Sequence, residues 1–278
     1  MLRSILVALD DTKGAIAARD AAFALARRTG AALTVAVVLD TPHTRSDHEF
    51  VPLGGAAFKA RRDAALAQRA EAEAAVALAA CAAVAGDTPY AEIRLEDAPE
   101  PALLRAGATH DLVVVGRDST LGREEAEDGV APVINQLLMD GARPLLVVPP
   151  DTVLAAEGPV LVGYDASLPA MAALQLFALL GLAEGSPVRV ASAAEERDEA
   201  MAMAEEGCAF LRRHGIDAQP LALLGGRPAD LLLAQAEGLG ARLMVLGAFE
   251  ESGLIRLVAG SATDHLLRKA RCPVFIHH

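Results

Sequence analysis

The chain has 278 residues, room for two ordinary domains, and a formal net charge of −12. It is 53% hydrophobic but only 3% aromatic and has no Trp, so its apolar content is Ala, Leu and Val, the composition of helices packed on a buried sheet. The acidity argues against nucleic-acid binding, because nothing resembling a basic patch is available to meet phosphates. The three cysteines, Cys81, Cys208 and Cys272, stand far apart with no CxxC or Cys/His ligand spacing, which predicts free thiols in a reducing compartment and no metal site. The opening MLRSILVALDD lacks the apolar core of a secretory leader. The most apolar stretch, residues 169–183, is shorter than the ~20 residues a bilayer requires, so the expectation is a cytoplasmic protein without a membrane span.

In chain order, short apolar runs alternate with helical stretches. Strands are predicted near 4–9, 32–39, 90–95, 111–116 and 144–148, and again near 159–164, 187–193, 217–223, 242–247 and 273–277. The sequence is written twice. RSILVALDD (3–11) matches GPVLVGYDA (158–166), THDLVVVGRDS (109–119) matches GARLMVLGAFE (240–250), and ARPLLVVP (142–149) matches ARCPVFIHH (270–278), in the same order. The pattern predicts an α/β protein of two tandem domains, each a five-stranded parallel sheet with helices on both faces, joined by right-handed crossovers. The domains are placed at 1–149 and 159–278, with 150–158, flanked by prolines, as linker. The first copy is longer, chiefly through a Pro/Gly/His-containing excursion at 41–63, read as a surface loop, with a lid or dimer contact as the alternative.

Ligands of an open parallel sheet bind beyond the carboxyl ends of the strands. That directs attention to Asp10 and Asp165 after the first strand of each copy, and to the loops after the fourth. Asp165 has a plain role in starting the next helix with Ser167 and Pro169, and a ligand role as an acceptor for base or ribose donors. In the second copy Gly247 is followed thirteen positions later by Gly260–Ser261, which open a helix. A helix N-terminus with adjoining glycines suits an anion, although Ser261 is equally natural as a cap.

These residues carry a resemblance over both copies. ILVALDD, VLVGYDAS, DLVVVGRDS and RLMVLGAFEESGLIRLVAGSATDHLLRKARCPVFI resemble the universal stress protein family, here as two fused domains. The resemblance implies a Rossmann-like fold of the adenine-nucleotide alpha-hydrolase type. It also implies a pseudo-twofold arrangement in which PLLVVP and PVFIHH pair the halves, with a further homodimer of the fused chain as an option. Family members that bind ATP have G-x-x-G, nine residues, then G-S/T, and an Asp after the first strand. Asp165, Gly247, Gly260 and Ser261 match that pattern as nucleotide-binding residues, whereas Glu250 stands where the middle glycine belongs. In the first copy Gly116 and Gly129 keep the spacing, but Ser119 takes the middle position and Val130 replaces the hydroxyl residue.

Charge separates the copies further. The first loop holds Asp118, Glu124, Glu125, Glu127 and Asp128 against Arg117 and Arg123. A carboxylate ~5 Å from a phosphate charge costs about 0.8 kcal/mol in water and about 3 kcal/mol at an effective dielectric near 20. The first site is therefore expected to be degenerate. In the second, Arg256 is the loop's cation and Arg227 lies on a neighbouring turn, most simply solvated. The expectation is a non-enzymatic stress-response protein that binds ATP, ADP or AMP, with Mg2+ as a possible companion, in the second domain. The alternative is a nucleotide-free adaptor acting through protein contacts. The scattered histidines and the lack of a Walker motif argue against an enzyme.

Overall fold

A computed structural model describes residues 1–41, 55–123, 129–248 and 261–278, with Ser261 placed by its backbone alone. Ten strands form one sheet in the order β3-β2-β1-β4-β5-β10-β9-β6-β7-β8. They are β1 (Ser4–Leu9), β2 (Ala32–Val38), β3 (Tyr90–Leu95), β4 (Leu112–Gly116), β5 (Leu145–Val148), β6 (Val160–Gly163), β7 (Val188–Ala193), β8 (Ala218–Leu223), β9 (Leu243–Gly247) and β10 (Val274–His277). Each lies within two residues of its predicted bounds. Within each half the pairings are parallel, and in each the chain steps to one side of its first strand and then to the other. The halves join where β10 runs antiparallel to β5, in the register Val274↔Val147, Phe275↔Leu146, Ile276↔Leu145.

The described helices are α1 (Lys13–Thr29), α2 (Ala56–Ala85), α3 (Pro99–Gly107), α4 (Pro132–Asp140), α5 (Leu168–Leu180), α6 (Arg197–Arg213), α7 (Pro228–Leu239) and α8 (Ser261–Lys269). Strand alternation sorts them into two layers. Ile5, Val7 and Leu9 face the core under α1, α2, α5 and α6, while Leu6 and Ala8 face the core under α3, α4, α7 and α8. The repeat extends to the punctuation of matched helices. Thr12 and Ser167 cap α1 and α5 by accepting from Ala15 N and Ala170 N, and left-handed Gly30 and Gly181 end them.

The 41–63 excursion needs correction in part. Residues 42–54 lie outside the described residues, but from Ala56 onward the chain is already helix α2, a helix of 30 residues. Its Ala, Arg, Lys, Gln and Glu content favours helix over loop, and the earlier reading gave the Pro and Gly upstream too much reach. The cysteines are free and buried, and burial pushes each thiol up to about 11, which keeps them unreactive near neutrality. Among the described residues no helix is long and apolar enough to cross a membrane.

His277, ending β10, titrates below its ordinary 6.5 because burial and the neighbouring His278 disfavour the cation, against a weaker opposing contribution from the Arg143 backbone. A base whose folded pKa is depressed is protonated first in the unfolded chain. Its contribution to stability is therefore complete above about pH 6.5 and is lost as pH falls below that value. His277→Gln should shrink the drop in urea midpoint between pH 7.5 and pH 5.5. An unchanged drop would assign the acid sensitivity to other groups.

Candidate ligand site

The second half carries a cavity of about 200 Å³ at the carboxyl edge of its sheet. It opens where β6 lies between β7 and β9, the point at which the strand order reverses and where such sheets bind ligands. Gly163, Tyr164 and Asp165 from the end of β6, Ala191 and Ala193 from β7, and Gly247 from β9 form its floor and one wall; Pro228 and Leu232 of α7 and Leu223 of β8 form the other. A second recess shares Ala193 and Pro228 and adds Glu195, Gly225 and Gly226. The lining is apolar, with Asp165 as the polar group at its mouth.

Asp165 is exposed, and its Oδ1 accepts from Ser167 N at 3.0 Å. The helix-start role is thus present in the structure. Ala166, between these two residues, holds φ at 58°, an unusual conformation for a residue with a Cβ. Tyr164 is held by its carbonyl, which accepts from Ser192 Oγ at 2.6 Å, and its ring lies beside Gly207 of α6, where an added Cβ would stand 2.9 Å from Val190 Cγ1. Burial, then Glu206 and Asp165, raise the Tyr164 phenol above its ordinary value, so it remains a neutral donor.

The matching place in the first half is filled by the chain itself. Asp10 Oδ1 accepts from Thr12 N at 2.9 Å and Thr12 Oγ1 at 2.7 Å, and its Oδ2 accepts from Leu121 N at 2.8 Å. Burial, only partly offset by these bonds, pushes the Asp10 carboxyl up. Asp118 Oδ1 accepts from Gly14 N at 2.9 Å, at the start of α1 where an anion would otherwise sit. Leu121, at 1% exposure, and Val130, at 4%, bury themselves in the same region. Asp118 thus meets the N-terminus of α1 from within the chain.

The two arginines weighed as loop cations in the first half are engaged elsewhere. Arg123 pairs with Asp40 at 2.9 Å and with Glu100 at 2.5 Å. Arg117 crosses to the second half and donates through Nη1 to the carbonyls of Leu267, Arg268 and Ala270. Arg227 is 79% exposed and donates to Asp230 at 2.8 Å, in keeping with a solvated turn residue. Asp230 also meets His265 Nε2 at 2.8 Å; the Arg227 bond, with help from His265, holds its carboxyl below the usual range.

Of the four predicted site residues, Asp165 and Gly247 meet at the cavity. Gly260 and the Ser261 side chain, like Glu250 and Arg256, lie outside the described residues, although Ser261 does open α8. Sequence reasoning passed over Tyr164, whose signal was its place directly before Asp165, and counted Asp118 only as loop charge, not as the partner of Gly14 N. Among the described residues no group of three or more His, Cys, Asp or Glu is gathered as metal ligands would be.

With this geometry in hand, the comparisons with known proteins can be read. The model of the universal stress protein family matches residues 1–149 and 192–278. The chain belongs to the universal stress protein family. A universal stress protein from Archaeoglobus fulgidus DSM 4304 superposes with a TM-score of 0.70 at 16% identity, covering 99% of this chain and 97% of that one. One from Pseudomonas aeruginosa UCBPP-PA14 gives 0.61 at 17% identity, covering 99% and 93%. At these identities the likeness is one of fold. A shorter universal stress protein from Archaeoglobus fulgidus, solved in complex with dAMP, is 26% identical over 43% of this chain and 96% of that one, with a TM-score of 0.35. No curated protein matches.

Proposed function

We propose that this universal stress protein is a non-enzymatic binding protein that takes an adenine nucleotide in its second half only. The observation that carries the reading is the cavity beside Asp165 at the second half's strand-order reversal. In the second half the described residues line an apolar cavity that Asp165 joins, and in the first the matching Asp10 is bound by Thr12 and Leu121 of its own chain. A purine offers a flat apolar face to Ala191, Ala193 and Leu232. Its exocyclic amine or the ribose hydroxyls are donors for the Asp165 carboxylate.

Titration calorimetry with AMP, ADP and ATP, with and without Mg2+, tests this. One nucleotide per chain is expected, binding should be lost in Asp165→Ala, and Asp10→Ala should leave it intact. Unchanged binding in Asp165→Ala would remove the assignment. No heat, and no thermal shift at millimolar nucleotide, would favour the second reading, a nucleotide-free adaptor; ligand at 100 times its Kd stabilises by about 2.7 kcal/mol. That second reading draws its support from Glu250 at the middle-glycine position and from a cavity lining that, among the described residues, contains no cation.

A further inference from the structure

We infer that Arg117, directly after β4 of the first half, is a positioning residue for the second half's site. Its Nη1 donates to Leu267 O at 3.2 Å, Arg268 O at 3.1 Å and Ala270 O at 2.8 Å. These carbonyls close the C-terminal end of α8. The last carbonyls of a helix have no partner within it and carry the negative end of its dipole, so a cation there supplies both the missing donor and the complementary charge. The guanidinium is partly buried, which disfavours its charge and makes the carbonyls its compensation.

From α8 the chain of contacts leads to the cavity wall. His265, on α8, meets Asp230, on α7, at 2.8 Å. Leu266 and Leu267 are buried in the same core as Leu232 and Ala236. Two residues before Asp230 stands Pro228, and two after it Leu232, both lining the cavity. A shift of α8 therefore moves α7 and changes the width of the slot that would receive the base.

Among the described residues the contact has no counterpart at the end of α4. Arg117 N donates to Val148 O and Ala248 N donates to His277 O, so the two residues hold matched places in the two halves. Ala248 has no side chain with which to cap α4 in return. In the first half the residues after Arg117 are held by Asp118 on Gly14 N and by Leu121 N on Asp10. Arg117, anchored at the end of β4 beside these bonds, bears on the second half.

The ligand part of this inference rests on the reading above; the effect on α8 does not. Amide hydrogen exchange on the full chain should show about tenfold loss of protection in α8 of Arg117→Ala, the scale of a lost charge-assisted hydrogen bond. Protection of α4 should be unchanged, and Arg117→Lys should restore much of α8's. Unchanged exchange in α8, or an equal loss in both helices, overturns the inference. Titration with AMP well below the unfolding midpoint should show about tenfold weaker binding in Arg117→Ala with the same stoichiometry. Loosened exchange with undiminished affinity would overturn the ligand part. If the unaltered protein itself does not bind AMP, the nucleotide reading fails, and the exchange result still decides whether Arg117 governs α8.

Discussion

Gly247→Ala is expected to destabilise the protein by about 3 kcal/mol or more, and Gly116→Ala by a similar amount. A Cβ on Gly247 would stand 2.3 Å from Ala170 N and 2.5 Å from the carbonyl carbon of Pro169. On Gly116 it would stand 2.3 Å from the carbonyl carbon of Gly14 and 2.4 Å from Ala15 N. These are backbone atoms in the first turns of α5 and α1, and no change of rotamer relieves the overlap. In each half the fourth strand passes so close to the start of the first helix that only glycine fits. Urea denaturation measures the effect. If Gly247→Ala kept its stability and lost only a ligand, the glycine would be a ligand residue and nothing more. If both variants fall together, the glycine is required by the fold in both halves, including the one whose site its own Asp118 fills.

That pair shows what the sequence could and could not disclose. The strands were readable because short continuous apolar runs and glycine or proline punctuation act locally, and the duplication repeated them. The spacing of Gly116 and Gly247 was readable for the same reason, but its cause was not: a helix start from 100 or so residues upstream presses on Gly116, and no local pattern encodes that approach. Charge counting found the first loop hostile to phosphate without showing that Asp118 itself takes the helix terminus. Counting Arg117 as a loop cation failed because its length lets it reach another domain, where carbonyls rather than phosphate satisfy it. Arg242 makes the same point. It stands just ahead of β9, yet is 4% exposed, and its guanidinium is pushed down to about 10 by burial and by Arg28 while donating to Ser186 Oγ and Leu182 O. An arginine beside a strand reads as a surface residue until the opposite half of the packing is known.

Phe275→Ala tests whether the halves behave as one unit. Phe275 is fully buried at the middle of β10, paired with Leu146 of β5 on one side and Val245 of β9 on the other. Its ring meets Phe177 of α5 edge-on at 6.4 Å between centroids. Truncating it removes a large apolar group from a site that the flanking strands cannot close, at a cost of about 3–5 kcal/mol. For a chain of this size the midpoint should fall by on the order of 10 °C. The seam makes a stronger claim than the magnitude. If β10 leaves the sheet, β5 loses its partner and becomes an open edge of four apolar residues, Leu145–Val148, which water solvates poorly and another chain could pair with. Loss of the second half should thus take the first with it. Calorimetry is expected to show a single transition in the unaltered protein and a single, lower one in Phe275→Ala. Two transitions, with the upper one at the original temperature, would mean that the antiparallel pairing of β5 and β10 joins two independently stable domains. In that case Arg117, which reaches α8 across this same seam, would lack the rigid support its positioning role requires.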